Sequence, residues 1–169
     1  MTSPRLATAA ARALALSSLV GLVSACSSPY YSDPRGRFHM QTPMTMNVSG
    51  TTKVVTLEPG NGTSVRIDSV DSEADLTAYL DTRIDRAALG HGDIEDHTFA
   101  GLDARRLEFR GGIELGDGLP MLVNVSLYLI QDGTQVYRIA CTGPDGPFEQ
   151  FCLGPFDDMV LTFALGAAP

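Results

Sequence analysis

The chain has 169 residues, with twelve Lys and Arg against twenty Asp and Glu, and a formal net charge of −8. That length suits one domain with a sizeable core. The acidic balance and the lack of a basic run argue against a nucleic-acid interface, which works by neutralising phosphates, and against charge-driven adhesion to anionic lipid.

In chain order, the first segment is a processing signal. Arg5 and Arg12 supply positive charge, and no acid precedes Asp33. Residues 13–23 form a short apolar core, far below the ~20 residues that span a bilayer. Small residues then lead to cysteine in Val23-Ser24-Ala25-Cys26. This pattern resembles the bacterial lipobox. The resemblance implies cleavage before Cys26 and a thioether-linked diacylglycerol, with an added amide-linked acyl chain (palmitate). Residues 1–25 are thus expected to be a signal peptide and Cys26 a lipidated N-terminus on the extracytoplasmic face of a cell membrane. The other reading is an ordinary cleaved signal that happens to end beside a cysteine. Two or more acyl chains anchor a protein stably, at ~0.8 kcal/mol per buried methylene. The mature part would carry ten basic and twenty acidic residues.

Setting Cys26 aside leaves Cys141 and Cys152. An even remainder in an exported protein suggests a disulfide, the alternative being two buried thiols. Residues 26–37, with two prolines, a glycine and no regular period, are expected to be a tether. A single domain is expected over 38–169.

Strands are predicted over 38–41, 54–57 and 64–67, with extended chain around 45–48 and a turn at Pro59-Gly60-Asn61-Gly62. Ser72 to Leu89 reads as a helix capped by Ser72, with Leu76, Leu80, Ile84 and Ala87 forming one apolar stripe. Residues 104–110 alternate, Leu107 and Phe109 against Arg106, Glu108 and Arg110. Residues 121–130 and 135–141 form a hairpin around Asp132-Gly133, which sets Leu129 opposite Val136 and Tyr128 opposite Tyr137. Both faces of that hairpin carry apolar side chains, so both need cover. Phe148, Phe151, Phe156, Met159, Val160 and Phe163, broken by Gly154-Pro155, predict short helical pieces that supply the second cover. The expected fold class is α+β, an antiparallel sheet covered by helices on both faces.

Several segments resemble PsbP-like domains. They are Phe38-His39-Met40-Gln41-Thr42-Pro43, the helix from Ser72, Thr98-Phe99-Ala100-Gly101, Val136-Tyr137-Arg138-Ile139-Ala140-Cys141 and the closing Phe156-Asp157-Asp158-Met159-Val160-Leu161-Thr162-Phe163. Such domains occur in photosystem II extrinsic proteins and in actinobacterial lipoproteins of the LpqN and LpqT type. The resemblance covers roughly residues 38–165. It implies a PsbP-like α/β/α sandwich with a binding or accessory role for a protein or envelope ligand, and it supplies no catalytic residues and no cofactor.

Few other residues suggest chemistry. His91-Gly92-Asp93-Ile94-Glu95-Asp96-His97 brings two imidazoles and three carboxylates together, a candidate for a divalent metal or small molecule. Its plainer reading is a polar loop after a helix. Arg105, Arg106 and Arg110 form either a paired sheet surface or a patch for an acidic partner. His39 reads as a surface or packing residue of a strand. No Gly-x-Ser-x-Gly elbow and no phosphate-cradling loop occurs, and no enzyme activity is expected.

Overall fold

Among the residues that this computed structural model describes (30–51, 53–83, 94–99, 101–114 and 120–166), the chain forms ten strands and three helices. In order these are β1 (Tyr30–Ser32), β2 (Phe38–Gln41), β3 (Asn47–Gly50), β4 (Val54–Glu58), β5 (Ser64–Asp71), α1 (Leu76–Arg83), β6 (Ile94–Phe99), β7 (Leu102–Glu114), β8 (Pro120–Asp132), β9 (Gln135–Gly143), α2 (Asp145–Phe151), α3 (Pro155–Leu161) and β10 (Ala164–Leu165). Residues 1–25, expected to be a signal peptide, and Cys26 lie outside the described residues.

The large sheet runs β3-β4-β5-β9-β8-β7-β6, and its neighbouring strands are antiparallel. A small sheet, β1-β2-β10, packs beside it. One face of the large sheet holds the main core, in which Phe148, Phe151, Phe156, Met159 and Val160 of α2 and α3 join Tyr128, Ile130, Tyr137 and Ile139. The other face takes α1, whose Leu76, Tyr79 and Leu80 pack with Leu107, Leu129 and Val136. The expected cover on both faces is therefore present, and the class is α+β. Pro155 opens α3 at its first turn, where its missing N–H costs nothing. Cys141 at the end of β9 is bridged to Cys152 at the end of α2, with Cα atoms 5.7 Å apart.

Three details differ from the sequence reading. The helix starts at Leu76 rather than Ser72, because β5 stays paired with β9 as far as Asp71 opposite Gln135 and the Ser72 N–H donates to the Thr134 carbonyl. Asp75 caps the helix instead, its Oδ1 accepting from the Ala78 N–H at 2.8 Å. Ile84, Ala87 and Leu89 lie outside the described residues.

In the β8–β9 hairpin, Gly133-Thr134 forms the loop, with Gly133 at φ +57°, and Asp132 pairs with Gln135. Leu129 faces Arg138 and Tyr128 faces Ile139 instead of the expected partners. The slip is two residues, so every side chain keeps its face of the sheet.

Tyr30–Arg37, expected in the tether, is folded. Asp33-Pro34-Arg35-Gly36 is a tight turn, the Gly36 N–H donating to the Asp33 carbonyl at 2.7 Å. It joins β1 to β2, and Tyr30 pairs with Gln41. Asp, Pro and Gly stand where a type I turn favours them. That turn chemistry was the available signal for this hairpin.

Candidate binding surfaces and the charged clusters

The β1–β2 turn is held by one carboxylate. The Arg37 guanidinium donates twice to Asp33, at 2.9 and 2.7 Å, and the Arg35 and Arg37 backbone N–H groups donate to the same side chain. The side chain of Asp33 is 2% exposed. The Arg37 guanidinium holds its carboxyl below the ordinary value, against the opposing effect of burial. Asp33→Asn should lower the unfolding free energy by roughly 2–3 kcal/mol at pH 7, since it leaves a partly buried cation without its counter-charge. A carboxylate with a lowered folded value stabilises above its unfolded value of 3.8 and loses that contribution as pH falls through the lower folded value. Urea melts should therefore show the gap between wild type and variant closing below pH 3.8.

Around this turn lie two hollows. One, of about 440 Å³, is bounded by Tyr31, Pro34, Arg35, Val48, Thr51 and Val55, among others. A second, of about 130 Å³, lies between Tyr30, Tyr31, Met46, Val48 and Leu57. Tyr31 and Val48 line both, so the hollows adjoin along β3. This surface is not legible in the sequence, where Tyr30 to Arg37 falls within the expected tether.

The second cluster lies under α3. Register sets Arg106 of β7 beside Tyr128 of β8, and the guanidinium carbon sits 5.8 Å from the ring centre. Arg106 donates to Glu108, to Asp157 at 3.2 Å and to Glu95 at 3.4 Å. The Tyr128 hydroxyl donates to Asp157 at 2.9 Å. Burial, with Asp157 beside it, pushes the Tyr128 phenol well above its ordinary value, so it stays neutral. Burial opposes charge on Arg106, but the Asp157 and Glu108 carboxylates outweigh it and hold the guanidinium charged. The other arginines singled out in the sequence are paired as well. Arg105 meets Asp96 at 2.9 Å, and Arg110 meets Asp145 at 2.7 Å. This matches the reading of a paired sheet surface.

The His and acid segment is divided by the sheet. His91 and Asp93 lie outside the described residues. Glu95, Asp96 and His97 stand on β6, an edge strand, where alternation puts Glu95 and His97 on one face and Asp96 on the other. The His97 ring stacks on Phe99, with centroids 6.0 Å apart, and lies 5.8 Å from Tyr128. Among the described residues no group of three or more His, Cys, Asp or Glu side chains is placed to hold a metal ion. His39 of β2 meets the Gly166 carbonyl through Nδ1 at 3.1 Å, which ties it to the chain end and fits a packing role.

No protein-family model and no curated protein matches the sequence. Solved structures do share the fold. The cyanobacterial PsbP protein CyanoP of Synechocystis sp. PCC 6803 aligns with a TM-score of 0.53 at 14% identity, over 81% of this chain and 91% of that one. The Ran-binding protein Mog1p of Saccharomyces cerevisiae aligns with a TM-score of 0.51 at 12% identity, over 81% and 94%. A Bacteroides thetaiotaomicron VPI-5482 protein gives 0.54 at 13% identity, over 83% of this chain and 48% of that one, so this chain spans about half its length. At such identities the likeness is one of fold, and the fold is the α+β arrangement of PsbP and Mog1.

Proposed function

We propose that this protein is a membrane-anchored extracytoplasmic lipoprotein of the actinobacterial LpqN and LpqT type, whose PsbP-like domain binds a protein or envelope ligand. The observation that carries the reading is the cysteine arrangement. Cys141 and Cys152 are joined in a buried bridge, which suits an oxidising compartment, and the third cysteine stands at the end of the signal-like segment. A lipid-anchored domain needs no membrane-crossing helix, and none among the described residues is long and apolar enough to be one. Cys26→Ala should move the protein from the membrane fraction to the soluble fraction. Retention of this variant in membranes would overturn the anchor.

A further inference from the structure

We infer that the surface formed by Tyr30, Val48, Arg35 and Lys53 rests on an anionic bilayer and sets the orientation of the domain. The inference depends on the lipid anchor at Cys26 proposed above.

The first ground is reach. Tyr30 is already paired in the small sheet, opposite Gln41, and accepts a hydrogen bond from the Gln41 amide at 2.7 Å. Only four residue steps separate it from Cys26. An extended chain covers at most ~3.6 Å per residue, so Tyr30 lies within about 14 Å of the lipidated cysteine. The twelve residues expected as a tether shrink to these four steps, too short a leash for the far side of the domain to turn to the membrane. Whatever surface surrounds Tyr30 must therefore face the lipid headgroups.

The second ground is the chemistry of that surface. Tyr30 is 53% exposed and Val48 is 60% exposed, and they line the same hollow beside the fully exposed edge strand β3. A tyrosine with a wet hydroxyl and an aliphatic neighbour suit the headgroup boundary. Residues 30–58 contain Arg35, Arg37 and Lys53 against two acids, Asp33, which Arg37 already neutralises, and Glu58, which ends β4 opposite Asn47. Arg35 and Lys53, the chain's one lysine, remain exposed there. The acid-bearing edge strand β6 is six strand spacings away across the sheet, roughly 29 Å at ~4.8 Å per strand. That exceeds the ~8 Å screening length at physiological salt several times over. Glu58 and the β5 acids lie nearer, but Arg66 and Arg138 pair with Asp68, so with Arg35 and Lys53 the local balance stays slightly positive. The anchor supplies residence at the membrane, and the local charge and the two apolar side chains choose which side faces down.

Hydrogen exchange of the lipidated protein tests this, at one copy per phosphatidylcholine–phosphatidylglycerol nanodisc. Backbone amides of 30–32 and 47–51 should exchange about tenfold more slowly than in a Tyr30→Ser/Val48→Ser/Lys53→Glu variant in the same discs, with α2 and α3 unchanged. In the unanchored Cys26→Ala background the two proteins should exchange alike. An equal difference there would reflect local loosening and overturn the docking. Equal exchange of the two lipidated proteins in discs would also overturn it. Protection that requires two copies per disc would assign the face to a second chain and overturn it too. An intact mass lacking the lipid would instead remove the anchor itself, a failure distinguishable from the others.

Discussion

Phe38→Ala should destabilise the protein by about 3–5 kcal/mol, the usual range for emptying a buried aromatic site. Phe38 is 1% exposed. Its ring stacks on Phe163 at 5.4 Å, meets Tyr137 edge-on at 5.9 Å and lies 5.9 Å from Tyr31. Those partners come from the chain end, from β9 and from β1, so one ring closes the seam between the two sheets. Truncation leaves a cavity lined by three rigid rings that cannot collapse into it. Against a typical total stability of about 5–15 kcal/mol, the loss is large. Thermal melting should drop by roughly 10–20 °C, and by much less for Phe38→Leu, which retains most of the volume. A melting point within a few degrees of wild type for Phe38→Ala would show that the small sheet does not depend on this seam.

Removal of the Cys141–Cys152 bridge ranks next. The two residues are 11 apart in sequence, and closing a loop of that size in the unfolded chain corresponds to about 3 kcal/mol. Cys141→Ala/Cys152→Ala should therefore melt about 10 °C lower than the oxidised wild type. Both cysteines are fully buried, so reductant added to the native protein should act only after unfolding. Thiol labelling of the unfolded, unreduced domain should find neither cysteine free. Rapid labelling of both would remove the bridge.

Much of this fold was legible in local pattern. The Phe38–Gln41 strand, the two-faced hairpin of β8 and β9 and the Leu76 and Leu80 stripe follow from periods of 2 and 3.6, which need only near neighbours. So does the alternation of β7, with Leu107 and Phe109 toward α1 and Arg106, Glu108 and Arg110 on the other side. The surface charges were legible as residues but not as pairs. Arg106 meets Asp157 from 51 positions later, and Arg110 meets Asp145 from 35 positions later. No local spacing encodes such partners.

By itself the sequence determined the class, most of the strands and helices between β2 and α3, and the pairing of two cysteines once Cys26 is set apart. Those properties depend on composition and short-range periodicity. The tertiary structure decided where the domain begins and what its first hairpin is for. β1 has three residues, too few to show a period, and β2 takes its other edge from β10, more than a hundred residues downstream. The same long-range pairing holds β5 in the sheet as far as Asp71 and so delays α1 to Leu76. It also turns a polar segment at 94–99 into an edge strand through its ladder with β7. In each case a backbone ladder with a distant strand satisfies hydrogen bonds that the local sequence would have left to turns or caps.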